Sequence, residues 1–225
     1  MYQEVLKNDI RYMKKDPMVW MILSVPILYI AIYHLLVLRL DFLLPYKGAI
    51  QYMIIVLMPF FIGMVLGFRM LDEKDEHMLS FYAVSPLGIR GYIGLRVAMA
   101  VILNLLGIIM IGMFGVFPRA YWFFILIQTL LLAPFVFLIL GLIGKNKIQG
   151  LTLVKIMGMI FMLPLLKLIK ANPLDKIFIL IPSYNIFELI VNQAFDYGVF
   201  VYIGALCLGI YILIESFSHK CISEI

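Results

Sequence analysis

The chain has 225 residues, 64% of them apolar and only 14% charged, with a mean hydropathy of +1.07. A soluble domain averages roughly 45–50% apolar and about 25% charged residues, so no soluble globule buries this composition and the chain reads as an integral membrane protein. The net charge is +5; in a membrane protein a basic excess signals topology before it signals nucleic acid, and no nucleic-acid partner is expected.

A helical span takes about 20 apolar residues, so six spans take about 120. What is left cannot hold a nucleotide-binding domain, so the energy for any active process must come from a partner or an ion gradient. In the amino-terminal segment Tyr2, Val5, Leu6, Ile10 and Met13 recur at helical spacing, and Lys7, Asp9, Arg11 and Lys14 fall largely elsewhere on the wheel. Residues 1–17 therefore read as an amphipathic helix flat on the membrane, either a basic anchor or an elbow that also touches a partner. Asp16-Pro17 breaks it and turns the chain into the bilayer. No small-residue cleavage site follows the first apolar run, so no cleavable leader is expected.

Six apolar runs follow, at 18–38, 51–70, 93–117, 121–143, 151–169 and 199–217. The predicted fold is all-α, one polytopic domain over 1–225. A further apolar run, 177–191, is too short and too polar to span, with Pro182, Ser183, Asn185 and Glu188 inside it. The stretch 176–192 reads as a re-entrant or interfacial hairpin before the sixth span. Twelve Lys and Arg flank one side of the spans and six the other, which predicts that both termini face the cytoplasm of a cell membrane.

Inside the spans Pro26, Pro59, Pro134 and Pro164 each remove a backbone donor; they read as packing kinks or as hinges. Gly63 and Gly67 form a GxxxG that lets a second helix approach closely, within the protomer or across a dimer. Asn104, Gln128 and Thr129 are the main polar groups of the spans. There is no P-loop, no HExxH and no GxSxG, and His34, His77 and His219 lie too far apart along the chain to meet on one metal. Cys207 and Cys221 define no disulfide framework. Carboxylates are nearly absent from the span interiors, Glu215 being the closest. That weighs against an ion-coupled carrier and against an intramembrane enzyme with paired carboxylates, although a carrier or a structural subunit stays as the alternative.

The stretch 67–96 carries the strongest signal. Asp72, Glu73, Asp75 and Glu76 put four carboxylates into five residues. Read as a helix over 71–86, Leu71, Asp75, Met78, Leu79 and Tyr82 share a mostly apolar stripe. Asp72, Glu73 and Glu76 line the opposite face, with Arg69 and Glu73 as an i, i+4 pair. Ser85-Pro86-Leu87-Gly88 ends the helix. An ordinary solvated loop helix is the plain reading of this pattern.

The acidic run after the second span, then Ser85-Pro86-Leu87 and Tyr92 with Arg96 leading into the third, resembles the ABC-2 type transporter permeases, and small bacterial drug exporters of the fluoroquinolone type in particular. Asp9-x-Arg11 and Lys15-Asp16-Pro17 are similar to that family's elbow. Gly88-Ile89 departs from it, since relatives often carry hydroxyl or charged residues there. The resemblance implies a non-enzymatic membrane subunit that exports an amphipathic or hydrophobic substrate and binds no cofactor itself. ATP and magnesium then belong to a separate cytoplasmic ATPase, and a second permease subunit and membrane lipid complete the assembly. It also implies that Asp72, Glu73, Asp75, Glu76, Met78, Leu79 and Pro86 dock that ATPase, that Arg11, Lys14, Lys15, Asp16 and Pro17 form the elbow, and that Pro182, Tyr184, Asn185 and Glu188 gate the outer end. Within the hairpin, Glu188 is placed to cap the backbone or to pair with Lys170 or Lys176.

Overall fold

The computed structural model describes residues 17–86, 88–116, 120–168 and 175–223. Among them every regular element is a helix. α1 (Pro17–Ile32) runs on through a π turn, Tyr33–Val37. A 3-10 turn, Asp41–Tyr46, leads into α2 (Lys47–Asp75), and the short α3 (Met78–Val84) follows. α4 (Gly88–Met113) and α5 (Trp122–Ile143) come next. α6 (Lys147–Met162) tightens into a 3-10 helix over Leu163–Leu168. Two short helices, α7 (Asp175–Phe178) and α8 (Tyr184–Phe187), make the hairpin; α8 widens into a π turn, Glu188–Asn192. α9 (Gly198–Ser223) closes the chain.

Five helical stretches among the described residues are long and apolar enough to cross a membrane: Asp41–Asp75, Gly88–Met113, Trp122–Ile143, Lys147–Leu168 and Gly198–His219. The chain is a multi-pass membrane protein. α1 stands where the first span was expected; the apolar part of it among the fully described residues is Ser24–Val37. Five stretches of spanning length are counted among the described residues. Arg11, Lys14, Lys15 and Asp16 of the expected elbow lie outside them, and Pro17 opens α1.

α2 is the centre of the bundle. The apolar window of its stretch is 83% buried, against 17% for those of α6 and α9, so α2 packs on protein where the outer helices turn most of their surface outward. Its partner is α5, and glycine is the reason they approach. A Cβ at Gly63 would collide with the Ala133 carbonyl of α5, and one at Gly67 would lie 2.7 Å from Leu140. The GxxxG therefore works inside the protomer.

Pro164 shows how a local rule positions a distant element. A proline interrupts the i→i+4 ladder, and α6 gives way to 3-10 geometry at Leu163. In that geometry the Phe161 carbonyl would receive the N–H of residue 164, which proline lacks. Two hydroxyls take its place: Tyr52 of α2 donates at 2.5 Å and Ser183 of the hairpin at 2.9 Å. The broken turn of α6 thus becomes the polar seat on which α2 and the hairpin meet.

Candidate functional site

The expected acidic helix over 71–86 is two elements, not one. α2 runs on past the apolar run expected at 51–70 to Asp75, and the chain then turns at His77, whose φ of 56° is left-handed. Histidine is among the few non-glycine types enriched there. The turn separates three residues that bind other helices from those that face out.

Those three are consecutive, and each binds a different helix. Asp72 pairs with Lys147 at the start of α6, at 2.9 Å. Glu73 accepts from Tyr92 and Arg96 of α4 and pairs with Arg69, one turn back, at 3.3 Å. Lys74 donates to the carbonyls of Gly141 and Gly144, at 2.6 and 3.1 Å. Those carbonyls are the unsatisfied last acceptors of α5, and a cation belongs at that pole of a helix. Arg90 of α4 and Glu215 of α9 add a fifth helix at 2.8 Å. This charged end ties α2, α4, α5, α6 and α9 together.

Glu73 corrects the expectation drawn from the stripe. It does not line an open acidic face: it is buried, and Arg96 beside it is 1% exposed. Asp72 is half-exposed and already paired. Asp75, Glu76 and Pro86 are exposed. Asp75 and Met78 leave the predicted inner stripe and face out, while Leu79 stays buried. Tyr82, also on the inner side, stacks on Tyr92 with ring centroids 4.6 Å apart.

The outer face of α3 holds two residues that the sequence reading missed. Phe81 is 63% exposed and Val84 79%. With Met78 they recur every three residues, so they share a face. That spacing is present in the sequence, but only the break at His77 shows which side of the stripe faces out.

At the other end, the hairpin plugs into the bundle. Ile186, Phe187, Leu189 and Ile190 are buried in one cluster with Tyr52, Ile55 and Val56 of α2. Gln128 of α5 donates to Asn185 at 2.6 Å. Glu188 pairs with Lys167 at the end of α6, and Lys167 also donates to Tyr184 at 2.8 Å; Lys170 and the side chain of Lys176, the partners expected, lie outside the described residues. Asn192 donates to the second carboxylate oxygen at 2.6 Å. Burial disfavours the charged form of Glu188, but the bonds from Lys167 and Asn192 outweigh it and hold the carboxyl below its ordinary value. Pro182 and Tyr184 are half-buried. The four expected gate residues do lie together here.

Polar groups of the spans join helices. Asn104 of α4 donates to the Thr129 carbonyl of α5 at 2.7 Å, and both residues are fully buried. Gln51 donates to Tyr33 and to the Val116 carbonyl. Spaces open among the described residues. One, about 630 Å³, lies between the hairpin, the end of α6 and α9; another, about 1200 Å³, is bordered by Lys47, Gln51, Trp122 and Gln193. No three His, Cys, Asp or Glu side chains among the described residues converge where a metal ion would sit.

The family whose sequence model matches this chain is described as Fluoroquinolones export permease protein Rv2686c-like, and the match covers residues 9–216. No curated protein and no solved structure matches the chain.

Proposed function

The chain belongs to the Rv2686c-like family of fluoroquinolone export permeases, and from that premise we propose that it is the membrane subunit of an ABC-2 type exporter whose ATPase is a separate cytoplasmic chain. The charged end faces the cytoplasm, as the basic bias predicts. α1 with the residues before it supplies the elbow and a sixth span. Two copies, or this chain and a second permease, enclose the path of an amphipathic or hydrophobic substrate such as a drug, peptide or lipid.

One observation carries the reading. α3 places Phe81 and Val84 on its outward face, with Met78, Asp75 and Glu76 exposed beside them. An apolar patch with a polar rim at the wet end of a membrane protein is a contact surface. Its centre supplies affinity and its carboxylates steer a basic partner and fix its register. The inner face of α3 supplies the drive train. Tyr82 rests on Tyr92, Tyr92 binds Glu73, and Asp72 and Lys74 flank Glu73 with bonds to α6 and α5. A push on α3 therefore reaches four helices through one turn of α2, as a rigid-body shift.

The test is mild-detergent purification of the tagged chain from its native membrane, with mass spectrometry of what accompanies it. The expected result is a stoichiometric P-loop protein that is lost from Phe81→Asp and Val84→Asp variants. A chain that purifies alone under every mild condition contradicts the ATPase reading and favours a carrier or structural role.

A further inference from the structure

We infer that the cavity between the hairpin, the end of α6 and the start of α9 binds an amphiphile carrying one positive charge. The inference rests on the export reading only for the idea that this chain handles amphiphiles; the site itself is argued from its lining. At about 630 Å³ it has the size of a small-molecule site. Its walls are apolar, from Phe135 of α5 and Leu206 of α9, and its rim carries the strongly exposed Leu180 and Val201.

Charge decides the class of ligand. Lys167, Glu188 and Asp196 line the cavity. Lys167 is neutralised by Glu188 and further engaged by Tyr184. Asp196 is exposed, and among the described residues its carboxylate has neither a hydrogen bond nor an ion pair, which leaves one negative charge over. Gly198 keeps that carboxylate uncovered, since a Cβ there would lie 3.3 Å from its Oδ2. The rings of Tyr184 and Tyr202, 6.3 Å apart between centroids, add aromatic surface beside it, and aromatic faces favour cations. An onium or ammonium group is thus matched to Asp196 and an apolar body to the slot behind it. The larger space has the opposite preference, with Lys47 on its border.

The experiment uses the full chain in lipid nanodiscs and two probes of one shape and opposite charge, tetraphenylphosphonium and tetraphenylborate, with binding read by calorimetry. The phosphonium is expected to bind saturably and the borate at least about tenfold more weakly, the scale of one partly shielded ion pair. Asp196→Asn should weaken phosphonium binding about tenfold, Asp196→Lys should reverse the preference, and Val201→Trp should fill the space and remove both. Equal affinity for the two ions, or an unchanged affinity in Asp196→Asn, overturns the site. Nanodiscs of net-neutral phosphatidylcholine with and without phosphatidylethanolamine, at equal surface charge, should give the same affinity; binding lost whenever the amine lipid is present makes that headgroup the occupant and overturns a free ligand. The ATPase reading is judged separately in the same preparation. A co-purifying ATPase without phosphonium binding discards the site alone, and binding without any ATPase keeps the site and discards the coupling.

Discussion

At the charged end, α2 is joined to α4 by the buried carboxyl of Glu73, which accepts from Tyr92 and Arg96. At the hairpin end, the same helix is joined to α6 and the hairpin by the hydroxyl of Tyr52. Separating the buried pair of Glu73 and Arg96 leaves an uncompensated charge, whereas a neutral hydrogen bond contributes only about 0.5–1.5 kcal/mol net. The hairpin's ion pair of Lys167 with Glu188 is partly open to water, at 26% and 17% side-chain exposure. The contrast teaches a difference in stiffness: the end proposed to receive force is held by buried charge, and the hairpin end by bonds that part more readily.

That contrast can be broken or sharpened by mutation. The largest effect is expected from Glu73→Ala, which removes the buried carboxyl that Tyr92 and Arg96 share and should cost about 3–5 kcal/mol in thermal unfolding of the detergent-solubilised chain. A loss below about 1 kcal/mol would mean that the cluster is hydrated and the charged end is no stiffer than the other. Gly63→Val comes next. It forces α2 from the Ala133 carbonyl and should cost about 1–3 kcal/mol as an overpacking change; cysteine crosslinking between α2 and α5 reports the separation.

Tyr52→Phe removes one of two hydroxyls from the Phe161 carbonyl while Ser183 keeps its own bond. About 1 kcal/mol is expected, seen as faster hydrogen exchange in the hairpin and little change at the charged end. Glu188→Gln should cost less than about 1 kcal/mol, as partly exposed pairs do. The sign of its pH dependence follows from its depressed carboxyl. Its contribution is fully present above the ordinary carboxyl value of about 4.3 and is lost as pH falls through the lower folded value. Hairpin protection should therefore be flat from about pH 5 to 8 and drop only in acid; a drop near neutral pH would assign the joint to another group. Phe81→Asp closes the series, with stability expected to stay within about 0.5 kcal/mol.

Much of the fold was legible because hydropathy and breakers act locally. The apolar runs for α2, α4, α5, α6 and α9, the hairpin at Pro182, and GxxxG packing all follow from span length, backbone satisfaction and glycine's missing side chain. The start of α6 at Lys147 was readable too, from Asn146 capping Gln149, yet hydropathy alone placed it four residues late. The inner surface of the charged end was not legible. A helical wheel puts Glu73 beside Asp72 and Glu76, but the wheel assumes a continuous helix and an aqueous far side. The left-handed turn at His77 breaks the first assumption, and Arg96, 23 residues away, breaks the second. For the same reason Phe81 and Val84 passed unnoticed. At the hairpin, Glu188 was matched to the basic residues nearest in sequence, whereas its partner Lys167 is brought from across the hairpin by the 3-10 end of α6.

The most direct test of the central claim is site-specific photocrosslinking in native membranes, with the reactive group placed at Val84 in one variant and at Leu79 in another. Val84 should capture a P-loop ATPase, and Leu79, 9% exposed, should capture only this chain. An ATPase captured from neither position, or from both alike, would contradict the assignment of the outer face of α3 as the docking surface.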